Sequence, residues 1–372
     1  MSFKPVYTIS DKTAKDLMRI EAAREAVANL PLNERVLSGL RQSSRLASTH
    51  YSTQIEGNRL TQAEVKDVLV RGKRIRSRER DEKEVKGYYK ALDYAESFAI
   101  KHVKITESYI RKLHALVMAG GKTRCSPTPY RDGQNVIREA NSGGVVYMPP
   151  EANDVPGLMK SMISWINLRT ADVPIPIVAA ITHYQFATIH PYYDGNGRVA
   201  RLLTNTVLHQ HGYSLHGIYN LEEYYARNLH DYYAELSVSD SHNYYMGRAE
   251  SDISNWVGYF IAGMKASFEA VRQNMQDSRH LDDHSDWIRS LDSRQRKMLP
   301  IFDEWDEITT SQIAKLLKLS PRGARAQAQA WVQKGFLEIA NPSKRSRTYR
   351  PLRKPAKTHP QENGMEKDSG NS

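Results

Sequence analysis

The stretch "HPYYDGNGRVAR", residues 190–201, gathers side chains that suit chemistry on a phosphate. Pro191 biases His190 out of the helical region, which sets its imidazole on a loop at the end of an apolar helix. Two glycines, Gly195 and Gly197, let backbone N–H groups point into one concavity where the next helix starts, and such a helix N-terminus receives anions. Arg198 and Arg201, three apart on that helix, add charge and forked donors. Asp194 would repel a bare phosphate, so a divalent cation, Mg2+ being the usual one, reconciles the two. Histidine, anion nest, carboxylate and arginines in one loop describe phosphoryl or nucleotidyl transfer.

A second stretch raises a smaller question. "STQIEGN", residues 52–58, puts Glu56 at the C-terminal end of a helix, where a negative charge is disfavoured by about 0.3–1 kcal/mol. Gly57 is the natural stop. Ser44, Ser48 and Ser52 fall four apart and stack on one face, with Glu56 continuing the row. Small residues in a stripe admit a close neighbour, and this stripe leads to a carboxylate.

Helices must carry both segments. The periodicity predicts them over residues 10–29 and 33–55, from a Thr61–Glu64 capping box, on through Leu92 and Phe98, and from a cap at Thr106. "NVIREANSGGVVYM" (135–148) reads as a hairpin. In the helix before His190, Ile177, Ile181, Tyr184 and Thr188 share a side; in the one after it, Val199, Leu202, Leu203 and Thr206 do. Residues 273–286 have little periodicity and read as a linker, and 353–372 as a polar disordered tail. His209 with His211, and His280 with His284, lack a further ligand set and read as solvated histidines.

Composition bounds the class. The 372 residues are 40% hydrophobic and 26% charged, as in soluble proteins with two or three domains. No apolar run reaches membrane-spanning length, and a single cysteine, Cys125, suits a reducing cytoplasm without disulfides. A net charge of +11 is compatible with polyanionic partners.

"HPYYDGNGRVAR" resembles the signature of the Fic (filamentation induced by cAMP) family, His-Pro-Phe-x-Asp/Glu-Gly-Asn-Gly-Arg-x-x-Arg, with Tyr192 where phenylalanine is usual. The resemblance implies a mainly α fold: a helical Fic-type core with a short β-hairpin flap, followed by a small α+β domain. Its boundaries would be a helical regulatory region over 1–105, a catalytic domain over 106–272, the linker, and a terminal module over 287–352. It implies transfer of AMP from ATP to a Ser, Thr or Tyr hydroxyl of a target protein. His190 would be the general base and Asp194 the Mg2+ ligand. Gly195, Asn196 and Gly197 would bind phosphate through backbone N–H groups and the Asn amide, with Arg198 and Arg201 on the β- and γ-phosphates. Glycine at 197, where the kinase-like branch carries lysine, accompanies AMP transfer. The hairpin resembles the family's flap, which holds a target strand; Val145, Val146 and Tyr147 would lie along that edge. "NLHDYYAEL" would line an adenine pocket through Asn228, Tyr232 or Tyr233. "STQIEGN" matches the family's inhibitory motif in Ser52, Glu56 and Gly57, which implies that Glu56 pairs with Arg201 in the γ-phosphate's space.

The terminal module reads as helix, tight turn, helix and hairpin, with Thr310 and Ser320 as caps, and resembles a winged helix-turn-helix. Arg322, Arg325 and Gln327 would face a DNA groove and Lys344, Arg345 and Arg347 phosphates. The expectation is a cytoplasmic, autoinhibited protein adenylyltransferase with no membrane partner; self-modification, DNA binding and a homodimer stay open. Its alternatives are a DNA-binding regulator whose Fic domain senses nucleotide, and an enzyme that both adds and removes AMP.

Overall fold

The computed structural model describes residues 3–29, 34–138, 143–238, 242–299, 301–343 and 347–352, leaving aside the side chains of 34–36, 276–289 and 303–304. The chain divides into two compact units, Met1–Met275 and Gln276–Ser372.

The first unit is helical because its segments carry wide apolar faces and explicit caps. Helix α1 (Asp11–Ala28) starts at Ser10, whose hydroxyl accepts from the Thr13 N–H. Helix α2 (Glu34–Ile55) ends one residue before Glu56, and Gly57 follows with φ +90°, the left-handed turn that glycine makes without strain. The Thr61–Glu64 capping box opens α3 (Gln62–Val70), and Thr106 caps α5 (Glu107–Met118). Between these lies α4 (Glu79–Ala99).

The hairpin pairs β1 (Ile137–Arg138) with β2 (Val145–Tyr147), Ile137 opposite Tyr147 and Arg138 opposite Val145. Past β2, Met148 makes a parallel bridge to Asn243. Helices α6 (Val155–Arg169), α7 (Ile175–Ile189), α8 (Asn196–Gln210), α9 (Leu221–Arg227), α10 (Leu229–Leu236) and α11 (Ser254–Ser290) complete the order. Helix α7 is buried almost all round and packs along α8; α4 packs on α5 and α8, and α2 on α4 and α9. One core joins Ile20, Ala23 and Val27 of α1 and Ile55 of α2 to Phe186, Leu202 and Trp256. The sequence boundary near residue 105 therefore divides a single core. The expected linker, residues 273–286, falls inside α11; a helix segment without an apolar stripe gives the sequence no period to read.

In the second unit, α12 (Ser293–Met298), α13 (Ile301–Glu304), α14 (Thr310–Leu317) and α15 (Pro321–Gln333) accompany a three-stranded antiparallel sheet. Its order is β3 (Ile308–Thr309), β5 (Thr348–Pro351), β4 (Leu337–Asn341). Ile313, Ala324, Ala328, Trp331 and Tyr349 fill its core. The cap of α14 is Thr309, one residue before the expected Thr310, because Thr309 has Gln312 at the third helical position to complete a capping box. The tail over 353–372 lies outside the described residues. Among the described residues, no helix is long and apolar enough to cross a membrane.

Candidate active site

The turn between α7 and α8 is built before anything binds it. His190 closes α7 in the left-handed conformation (φ 50°, ψ 59°), which a non-glycine residue adopts only where its surroundings hold it. Arg131 supplies that hold: it is buried, and donates from Nε to the His190 carbonyl at 3.0 Å and through Nη2 to the Pro150 carbonyl, while its own N–H donates to the Pro191 carbonyl at 2.9 Å. Asn196 clips the rest of the turn. It accepts the Tyr192 N–H at 3.0 Å and returns its amide to the Tyr192 carbonyl at 2.8 Å, so the Asn amide, expected on a phosphate, is engaged within the loop. His114 stacks on Tyr192 at 3.7 Å between ring centroids and donates from Nε2 to the Asp194 carbonyl at 2.9 Å.

Gly195 precedes α8 at φ +79°, and its N–H donates to Asp194 Oδ1 at 2.6 Å. The same Asp194 oxygen accepts from Arg198 Nη2 at 3.0 Å, so the buried Arg198 guanidinium and the 61%-exposed Asp194 carboxylate are already a pair. The backbone N–H groups of Asn196 and Gly197, in the first turn of α8, have no acceptor within the helix.

His190 offers one nitrogen to the cavity. Its Nδ1 lies 3.2 Å from the Ala187 carbonyl and carries the hydrogen there, which leaves Nε2 as a lone pair. Burial is the main influence on its titration and pulls its pKa down to about 4, although the Ala187 hydrogen bond and the Glu56 charge push the other way. The imidazole is therefore neutral at pH 7.

Arg201 is the most constrained group, with a side chain 1% exposed. It donates from Nε to Ser52 Oγ and from Nη2 to the Ser52 carbonyl and Glu56 Oε1, all at 2.8 Å, and from Nη1 to the Tyr232 hydroxyl at 3.5 Å. Burial works against its charge, but Glu56 and the tyrosine oxygens outweigh that and raise its pKa above the ordinary value. Gly197 is what lets Glu56 in: a Cβ there would sit 2.3 Å from Glu56 Oε1 and 3.2 Å from Arg201 Nη1. The other serines of the row also meet partners, Ser44 the Tyr219 carbonyl at 2.9 Å and Ser48 the Tyr88 hydroxyl at 3.5 Å.

These groups border a cavity of about 770 Å³, within the size range of small-molecule sites. Glu56, His190, Asn196, Gly197, Arg201, Val146, Tyr147, Tyr232 and Tyr233 line it. Asn228 does not: it joins α9 to α10 and donates to the Tyr224 carbonyl at 2.8 Å. Tyr233 also donates to the Ile55 carbonyl at 3.2 Å, tying α10 to the end of α2. Along the hairpin Val145 and Val146 are exposed, but Tyr147 turns inward and donates to the Thr188 carbonyl at 2.9 Å, so its side chain is not available along the edge. Among the described residues no cluster of three His, Cys, Asp or Glu side chains could hold a metal by itself. His209 is packed edge-on against Tyr219 rather than solvated, and burial draws its pKa down to about 4.

In the second unit Arg322 and Arg325 are exposed on α15, whereas Gln327 accepts from Arg294 Nη1 at 3.1 Å. Arg347 donates to the Pro342 carbonyl at 3.3 Å; Lys344 and Arg345 lie outside the described residues. Sequence reasoning missed Arg131 and His114, which sit 59 and 80 residues from the groups they hold.

Residues 104–208 match the model of the Fic/DOC family, so the chain carries a Fic domain. It is 29% identical over 199 residues to the protein adenylyltransferase Fic of Drosophila erecta and 28% identical to that of Drosophila melanogaster. In both cases the match covers 53% of this chain and 39% of the relative, so the chain spans well under half the length of these relatives. Among solved structures, a Fic family protein from Desulfovibrio desulfuricans G20 superposes with a TM-score of 0.63 at 22% identity, covering 94% of this chain and 98% of its own. A Fic domain containing signaling protein from Bacteroides thetaiotaomicron VPI-5482 gives 0.61 at 24% identity, over 70% of this chain and 97% of its own. These two share the fold.

Proposed function

We propose that the chain transfers AMP from ATP to a hydroxyl of a protein and is restrained by Glu56. The observation that carries this reading is the contact of Arg201, Glu56 and Gly197: a fully buried arginine beside an anion nest holds a carboxylate where only glycine leaves room. Named relatives of the Fic segment are protein adenylyltransferases.

In this mechanism Arg201 and the first-turn N–H groups of α8 receive the polyphosphate, and neutral His190 accepts the acceptor hydroxyl's proton at Nε2. The hydroxyl oxygen bonds to the α-phosphorus as the bond to the bridging oxygen breaks and pyrophosphate leaves. A base positioned in this way contributes about 10²–10⁴-fold. Asp194 fits an Mg2+ ion shared with phosphates: Mg2+ takes hard oxygen donors, commonly one or two carboxylates plus substrate phosphates, and this carboxylate is exposed beside the nest. The ion would neutralise phosphate charge. Val145 and Val146 would present the exposed hairpin to the target.

The test is intact-mass spectrometry after incubation with Mg·ATP. Glu56→Gly should gain one AMP on itself or an added target, and Glu56→Gly with His190→Ala should gain none. Label arriving from the γ-phosphate would mean phosphorylation instead.

The exposed Arg322 and Arg325 at the start of α15 favour a second activity, DNA binding by a winged helix-turn-helix. A salt-dependent shift on DNA, lost in Arg322→Ala/Arg325→Ala, is the expected result.

A further inference from the structure

A buried histidine that the transfer mechanism does not use stands behind Arg201. His183 lies on α7 seven residues before His190 and is 0% exposed; Tyr232, Thr204 and Arg201 are no more than 2% exposed. Its Nδ1 is 3.2 Å from Thr204 Oγ1 and its Nε2 2.9 Å from the Tyr232 hydroxyl. The directions of these bonds are fixed from the far end. Thr204 donates its hydrogen to the Ala200 carbonyl at 2.8 Å, so its oxygen accepts from His183 Nδ1–H. Nε2 then holds a lone pair and accepts the Tyr232 O–H. The Tyr232 oxygen is left to face Arg201 with its own lone pairs, and Nη1 approaches it at 3.5 Å.

We infer that His183 is a positioning residue of the nucleotide site: by accepting the Tyr232 hydrogen it keeps the tyrosine oxygen turned toward Arg201 and so holds the guanidinium in the plane in which it meets an anion. An apolar ring of similar size would fill the same space against Tyr225 and Trp256, which flank the imidazole at 5.8 and 5.1 Å. It would also leave the Tyr232 hydroxyl without that acceptor and free to turn its hydrogen toward a cation. His183 never reaches the cavity; Tyr232, which lines it, carries the effect. Since Arg201 is the group that takes the distal phosphates in the reading above, on which this inference rests, the consequence falls on the triphosphate and spares the nucleoside.

The experiment is calorimetric titration of ATP and of AMP, with Mg2+, into Glu56→Gly, so that the native carboxylate does not compete. Adding His183→Phe should weaken ATP about tenfold, the size of one hydrogen bond to a charged group, and AMP less than twofold. His183→Gln, whose amide oxygen can accept from Tyr232, should recover most of the ATP affinity. Tyr232→Phe should weaken ATP similarly, and combining it with His183→Phe should add little. Equal weakening of ATP and AMP, or unchanged ATP binding, overturns the inference and leaves AMP transfer standing. If His183→Phe does not fold, the same decision falls to His183→Gln and Tyr232→Phe: a Tyr232→Phe chain that binds ATP as tightly as its parent overturns it. A Glu56→Gly chain that binds neither nucleotide removes the proposed reaction and this inference together.

Discussion

Glu56→Gly should raise AMP transfer and lower stability, for one reason. The Glu56 carboxylate and the Arg201 guanidinium meet at 2.8 Å with the arginine 1% and the glutamate 28% exposed. At about 4 Å between charge centres, an effective dielectric of about 20 gives roughly 4 kcal/mol of attraction, part of which offsets desolvation. A charge-assisted hydrogen bond nets about 1.5–3 kcal/mol. If a phosphate must displace that contact to reach Arg201, removing it raises the initial rate by about 10- to 150-fold. The same deletion leaves Arg201, among the described residues, with the neutral acceptors of Ser52 and Tyr232, so unfolding free energy should drop by a similar amount. Glu56→Gln keeps an acceptor without the charge and should fall between on both scales. Saturating Mg·ATP restores the missing anion and should recover about 2.7 kcal/mol at a hundred times its Kd. Initial rates with α-labelled ATP and thermal melts with and without nucleotide measure both. An unchanged rate together with a lowered Tm would falsify the restraint and leave the pair a purely structural one.

Gly197→Ala should destabilise the native chain, because its Cβ would fall 2.3 Å from Glu56 Oε1, and should cost much less in Glu56→Gly, where only the 3.2 Å approach to Arg201 Nη1 remains. Denaturant melts of the four chains read the difference between the two backgrounds, and equal effects in both refute it. The pH dependence follows His190: because its folded pKa lies near 4, below the ordinary 6.5, the neutral form's contribution to stability is complete above about pH 6.5 and is lost as pH falls toward 4. The acid limb of kcat/KM for Glu56→Gly should sit no higher than about 4, since that variant loses the Glu56 charge that pushes the His190 pKa up; a midpoint at 6.5 would show an exposed imidazole. Tyr192→Phe should be neutral or stabilising by up to about 1 kcal/mol, since the buried hydroxyl has no partner among the described residues. A larger loss in urea melts would reveal a bond to that hydroxyl.

What the sequence made legible was local. Four-residue spacing put Ser44, Ser48, Ser52 and Glu56 in one row because helix geometry repeats over that distance, and Pro191 marked the end of α7 one residue ahead. The Thr309–Gln312 box was present in the letters, and choosing between adjacent threonines needed only the residue three positions on. Arg131, His114 and the pair His183–Tyr232 were illegible for another reason: each acts on a group 49 to 80 residues away, and tertiary packing alone selects the partner. The Asn amide likewise satisfies its own turn, an outcome that composition and spacing leave undetermined.

The continuity of the core from α1 and α2 into α7 and α8 bears on how such a protein can change over generations. Ile55 packs in the same core that supports the site, and Ser52 supplies two of the bonds that orient Arg201. Deleting the helix would therefore dismantle the site along with the proposed restraint. Heritable tuning is left to substitutions at the last turn, where one side chain beside a left-handed glycine can be altered while the scaffold stays whole.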